Sequence, residues 1–153
     1  MIDKVLSLVL NELNVFLSAR FASSGPHAVL SSLANPDGST PPAIENKLVL
    51  SLVNIEREVA AVSPNRALRL NLYLQVSANF GVNYLESLQF LSAALEFFLE
   101  RPVFVAPAVP SGIERLNVEM INLTMQDLNN LWSISGSKYL PSASYKLRMV
   151  TTL

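Results

Sequence analysis

The sequence predicts an α+β domain: a mixed, largely antiparallel sheet of about four strands with three helices packed on it. Two observations carry that prediction. Segments with a hydrophobic period of two alternate along the chain with segments of helical period, and consecutive strands are joined in hairpin fashion with few crossovers. A third bounds it: 153 residues suit one domain, residues 1–153, large enough to bury roughly 70% of its unfolded surface without staples.

The first helix is expected over residues 2–20. Ile2, Val5, Leu6, Val9, Leu13, Phe16 and Leu17 recur at helical spacing, and Asp3, Lys4, Ser7, Asn11, Asn14 and Ser18 fill the other side. Leu8, Leu10 and Val15 widen the stripe, so the helix is either deeply tucked into its own domain or also touches a neighbour. Residues 21–45 have loop chemistry: Gly25-Pro26, Asn35-Pro36-Asp37-Gly38 and Pro41-Pro42 punctuate a Ser- and Ala-rich stretch. A structureless connection of that length is unusual in a compact domain, so it is expected to be either mobile or ordered by a partner.

Lys47–Glu58 reads as a strand covered on both sides at its start, from the near-continuous run Leu48 to Val53. Ser63-Pro64-Asn65 reads as a turn. Leu68, Leu70, Leu72, Leu74 and Val76 alternate with Arg69, Asn71, Tyr73, Gln75 and Ser77, which predicts a second strand with one buried and one polar face. Helical period returns over residues 79–101, with Leu85, Leu88, Leu91, Leu95, Phe98 and Leu99 as the expected buried stripe and Pro102 as the stop. Val103-Phe104-Val105 is a short strand candidate, and Leu116, Val118 and Met120 mark a third long strand. Thr124 then fits an N-cap with Asp127 three residues on, Leu123 and Leu128 fit a hydrophobic staple, and Gly136 fits a left-handed helix end. Tyr145, Leu147 and Met149 alternate with Lys146, Arg148 and Val150 in a last strand, expected to lie at an edge and to offer its backbone to a neighbouring chain.

Composition narrows function. Half of the residues are apolar and 15% are charged, against about 25% in average domains, which suggests surface buried against partners. There is no apolar run of about 18 residues to span a membrane, and Asp3, Asn11 and Glu12 spoil a signal peptide. Net charge is −1 with no basic run, which disfavours nucleic acid. There are no cysteines and one histidine, His27, in the Pro/Gly region, where it is expected to be exposed; no metal-ligand spacing, cofactor motif or nucleophilic triad emerges. Glu56 and Glu58 would share a strand face about 7 Å apart, a geometry that could serve acid/base chemistry, but a solvated strand end is the favoured reading. No enzyme activity, cofactor or metal is expected.

Four blocks resemble a known family: Leu48–Glu56; Leu72–Phe80 with Tyr84; Phe90–Phe98 with Pro102–Phe104; and Leu116–Met149. The most specific part is Asn129-Asn130-Leu131-Trp132, followed by Lys138-Tyr139-Leu140-Pro141-Ser142 and Tyr145-Lys146-Leu147-Arg148. With the opening Met1-Ile2-Asp3, these cover most of the chain. They are similar to the tail-terminator, or tube-cap, proteins of extracellular contractile injection systems of the antifeeding-prophage type. The resemblance implies a phage tail-terminator-like fold and a non-enzymatic homohexameric ring. That ring closes the baseplate-distal end of the inner tube, stops tube growth and joins the last sheath layer. It implies tube and sheath proteins as partners, and assembly in the cytoplasm before incorporation into the particle. Members often continue past the strand matching Tyr145–Met149, whereas this sequence stops at Leu153; either a short variant or an incomplete chain would lack whatever that extension contacts. Trp132 and Tyr139 are candidates for anchoring the last helix to the sheet or for an intersubunit contact. Lys146 and Arg148 are candidates for meeting acidic groups on tube or sheath, and Asn129 and Asn130 for holding the turn that follows. Two rival functions stand beside this one: an adaptor of phage-like particles that shares the fold, and a small acid/base enzyme.

Overall fold

The computed structural model describes residues 1–59 and 67–151, so the expected turn at Ser63-Pro64-Asn65 lies outside the described residues. The four long strands expected from alternation are present as β2 (Lys47–Arg57), β3 (Arg69–Asn79), β5 (Ile113–Ile121) and β6 (Ser142–Thr151). Two three-residue strands, β1 (Ala28–Leu30) and β4 (Val103–Val105), extend them into one six-stranded sheet of order β1-β2-β3-β6-β5-β4. Only the β1–β2 pairing is parallel. The terminal strand is therefore not an edge: β6 lies between β3 and β5, paired with both over most of its length.

Helices α1 (Ile2–Phe21) and α2 (Tyr84–Glu100) cover one face of the sheet. Val5, Val9, Leu13 and Leu17 of α1 are fully buried against it, as expected. Leu48 and Leu50 of β2, the even-numbered residues Leu70 to Ala78 of β3, and Tyr145, Leu147 and Met149 of β6 complete that core. The second helix starts five residues later than its apolar pattern suggests. Asn79 still belongs to β3, and Asn83 caps α2 by accepting from the Glu86 amide at 3.1 Å. Its buried face is also rotated, to Ser87, Phe90, Ala93, Ala94, Phe97 and Phe98. Phe90 stacks between Phe21 and Phe80 at 4.2 and 4.6 Å, and Phe97 packs on Phe16 at 5.6 Å. Two alanines beside these rings let α2 approach closely, which leaves Leu85 and Leu99 outside, at 72% and 83% exposure.

The opposite face holds a second, smaller core of Leu33, Ile44, Val49 and Trp132. Leu33 and Ile44 come from the 21–45 segment and Trp132 from α3 (Met125–Ile134). Because part of this face is covered too, the polar side of β3 is not solvated as expected: Gln75 and Ser77 are buried, and Asn71 is buried farther along, beside Glu56. Gln75 accepts from the Ser144 hydroxyl at 2.5 Å, but its Nε2 has no partner.

The 21–45 segment is not structureless: bonds within the chain help to set its path. Asn14 of α1 reaches it with its whole amide: Oδ1 accepts from the His27 and Ala28 amides, both at 2.9 Å, and Nδ2 donates to the Ala28 carbonyl at 3.0 Å. That imitates a strand neighbour and starts β1 in register with Leu48. Further on, Asp37 accepts from the amide and hydroxyl of Ser39, closing the Asn35–Ser39 turn, and a 3-10 turn at Pro42–Ile44 delivers Ile44 to the small core.

Candidate functional site

Sequence reasoning places the candidate residues on and after α3, and the structure brings them to the second face of the sheet. Thr124 is the N-cap, its hydroxyl accepting from the Asp127 amide at 3.0 Å. Its extended backbone and the first-turn carboxylate of Asp127 favour helix initiation here. The helix then rests on one side chain. Trp132 is the single buried residue of α3, at 8% exposure, while Met125 and Ile134 point into solvent and Leu128 and Leu131 are half-buried. Trp132 meets Tyr139 edge-on, with ring centroids 5.3 Å apart and planes at 64°. Tyr139 itself is 60% exposed. The indole Nε1 is buried with no hydrogen-bond partner.

The turn after α3 is held by a residue that sequence reasoning passed over. Ser135 donates its hydroxyl to the Trp132 carbonyl at 2.9 Å and accepts from the Ser137 amide at 3.2 Å. Asn129 and Asn130 do not do this work: their side chains are exposed and make no hydrogen bond among the described residues. Gly136 has φ +75° as the helix end requires, and a Cβ there would sit 3.2 Å from the Ala34 Cβ. The turn thus closes directly onto the 21–45 segment.

Beyond α3 the same face is open and polar. Lys146 and Arg148 lie on it together, as their spacing predicts. Lys146 stands opposite Tyr73 and Glu119, and Arg148 opposite Asn71 and Asn117. Arg148 is already engaged, donating to Glu58 at 2.5 Å. Glu56 accepts from Asn71 at 3.2 Å and from the Tyr73 hydroxyl at 3.5 Å. The two glutamates are therefore tied to different partners rather than aimed at a shared substrate. The hydrogen bond from Arg148 holds the Glu58 carboxyl below its ordinary range, the opposite of what a general acid at neutral pH needs. Burial, with Glu56 second, raises the Tyr73 phenol. His27 is half-buried, not free in a loop: its Nε2 lies 3.1 Å from the Ser23 carbonyl and its ring lies 5.4 Å from that of Phe90. Among the described residues no three His, Asp or Glu side chains gather as a metal site would require, and no helix is long and apolar enough to cross a membrane.

Two clefts flank α3. One, of about 210 Å³, is lined by Leu33, Leu52, Val53, Gln75, Leu131 and Trp132 among others. The other, of about 320 Å³, lies on the far side of Leu131 and Ile134, and Tyr73, Ile121 and Asn130 help to line it. Val53, at the bulge between Leu52 and Asn54, lines both. Leu52, Val53 and Ile55 are exposed, although alternation alone marks them as core. The short β1 is the reason: it protects only the first half of β2, and a three-residue strand leaves almost no periodic signal in sequence.

The Pvc16 N-terminal domain family model matches residues 4–153. No protein of curated function matches the chain. Among solved structures, the chain is similar to one described as the sheath/tube terminator of an extracellular contractile injection system, PVC, in its extended state. The two share 13% identity with a TM-score of 0.54 over 94% of this chain, so the likeness is one of fold. This chain spans 56% of the length of that one.

Proposed function

Since the chain belongs to the Pvc16 N-terminal domain family, we propose that it is a structural terminator of a contractile injection particle. In this reading it forms a homohexameric ring, closes the baseplate-distal end of the inner tube, stops tube growth and joins the last sheath layer. The observation that carries the reading is the family match across nearly the whole chain, together with a fold shared with a sheath/tube terminator over 94% of its residues. The surface chemistry is consistent with it. The chain is poor in charge, and large apolar side chains stand exposed at the β2 edge, along α2 and on α3. The role is one of shape and adhesion, with no chemical step.

Within that role, the open polar face carries the contacts to tube or sheath. Tyr139, Lys146, Asn129 and Asn130 are exposed or half-buried there and available, whereas Trp132 and Arg148 act mainly by holding α3 and the sheet in place. Electron microscopy of inner tubes assembled with and without the protein tests the reading. The expected result is a ring at one end and a limited tube length when the chain is present. Tubes of unchanged length with bare ends would overturn it, and a particle that carries the protein elsewhere would favour the adaptor role. Reversing the charge of Lys146 is expected to weaken end binding without altering the fold, as read by tube co-sedimentation.

A further inference from the structure

We propose that copies of this chain join edge to edge. The outer edge of β2 in one copy, over Leu52–Arg57, pairs in parallel with β4 of the next, so that neighbouring sheets run on as one. This deepens the ring reading above and rests on it.

Among the described residues the backbone leaves outward groups without a strand partner on both edges, although the Val105 carbonyl of β4 already accepts from the Ala108 amide at 3.0 Å. β1 pairs with β2 only at Leu48, Val49 and Leu50, and among the described residues nothing takes its place farther along. In the first half of β2 the outward groups are bonded: the Leu48 amide donates to His27, and the Leu50 carbonyl accepts from Ser31. The bulge at Val53 shifts the phase by one residue. The Glu58 amide donates inward to the Arg69 carbonyl, so the outward groups of the second half belong to Ile55 and Arg57. The Ile55 amide finds only the side-chain oxygen of its neighbour Asn54, at 2.9 Å. At the far side of the sheet, the Val118 amide bonds to the Pro102 carbonyl, which makes Phe104 an inward residue and points the backbone of Val103 out. Outward donors and acceptors without a strand partner template the addition of another strand.

Direction and side-chain faces also agree. Four antiparallel steps separate β2 from β4, so the two strands run the same way. A rotation about an axis along the strands preserves that sense, and the neighbour's β4 then enters in parallel, in line with β1. Leu52 and Ile55 lie opposite Leu74 and Leu72, on the face that α1 and α2 cover, and Phe104 lies opposite Leu116 on the same face. Val53 lines the clefts beside α3 on the other face, where Val103 and Val105 also project, opposite Asn117 and Arg115. Joining the edges sets apolar residues beside apolar residues on both faces. The stretch Leu52–Ile55 carries no charge and no proline, the usual devices that keep an edge from pairing. The two edges are different strands, so the contact is head-to-tail, the kind that closes rings, rather than a two-fold contact between identical patches.

The test uses the full chain with Ile55→Lys or Val103→Lys. Both side chains are substantially exposed, 48% and 41%, so each variant is expected to keep the wild-type circular dichroism and melting curve. Should Ile55→Lys fail to fold, Arg57→Pro, which removes an outward amide of the same edge, is the substitute; Val105→Lys, 49% exposed, stands in for Val103→Lys. In analytical ultracentrifugation, alone or on inner tubes, wild type is expected to assemble. Each variant is expected to associate about tenfold more weakly or worse, the scale of losing a central contact. The decisive sample is a mixture. Ile55→Lys retains a sound β4 edge and Val103→Lys a sound β2 edge, so together they are expected to give a one-to-one dimer that grows no further. Variants that assemble like wild type would overturn the edge contact, as would a mixture that stays monomeric. A wild type that ends tubes while remaining monomeric on them would overturn it too, yet leave termination intact. Tube length, measured on the same samples, reads the termination role separately.

Discussion

Single residues carry more of this fold than their types advertise. Asn14 has the composition of a solvent-facing helix position, yet its amide bonds to His27 and Ala28 and so fixes where β1 begins. Sequence shows the Asn but not the target, because the partner lies thirteen and fourteen residues away across an irregular turn. Ser135 was hidden for the same reason: a hydroxyl that bonds locally looks like any serine. Tyr145 was legible as core, and its environment sets a pH response. Its ring packs on Phe98 at 4.3 Å, and burial pushes its phenol up to about 12 from an ordinary 10. The unfolded chain releases that proton near pH 10 and the folded chain only near 12. Its contribution is therefore intact below pH 10 and is lost as pH rises toward 12, a change on the order of 2 to 3 kcal/mol. Urea denaturation at pH 9 and pH 11.5 checks this: Tyr145→Phe is expected to lose much less stability over that interval than wild type. At the acid end Glu58 behaves in the opposite sense. Its lowered carboxyl adds stability above its ordinary range, and that stability is lost as pH falls through the depressed value.

Among the elements, α3 is the least firmly held, and its dependence on Trp132 can be measured. Trp132→Ala removes the one buried side chain of the helix and empties the centre of a core whose other buried members among the described residues are Leu33, Ile44 and Val49. A loss of about 3 kcal/mol is expected, concentrated on this face. Hydrogen exchange is expected to speed up over residues 125–140 and 33–44, while β3 and β6 retain their protection. Exchange that accelerated equally everywhere would show α3 to be part of the main core. The elements that sequence conveyed best were those whose period and burial coincide. α1, β5 and β6 are of this kind, and the cap at Thr124 and the stop at Gly136 were legible from local chemistry. The α2 stripe was not. Leucines at helical spacing look like a core, but the phenylalanines at 90 and 97 outweighed them by filling the space under the helix, and only the tertiary partners Phe16, Phe21 and Phe80 reveal that. On β3 the alternation was correct and its meaning was not, since a polar face becomes buried once α3 and residues 33–44 close over it.

At the scale of the whole molecule the sheet has its two unprotected stretches at opposite sides and its last strand in the middle. Removing residues 145–153 would take out most of the strand that both β3 and β5 pair with, together with the buried Tyr145, Leu147 and Met149. The truncated chain is expected to show no cooperative melting transition and no near-ultraviolet circular dichroism. A folded monomer would contradict the central position of β6. Candidate surface residues were legible in part. Tyr139, Lys146 and the α3 asparagines do reach an open face, whereas the β2 edge was invisible because its exposure depends on how little of it β1 covers. The position of β6 also has a consequence for how the chain comes to be folded. As the protein leaves the ribosome, α1 through β3 can collapse first, and β4–β5 can pair later, but each half keeps one side of its sheet open until the last of these strands arrives. Joining them requires contacts between distant parts of the sequence, the slow kind. The sheet that would offer its outer edges to other copies is therefore completed only once β6, the last strand of the domain, has been made, which delays oligomerisation until the whole domain is available.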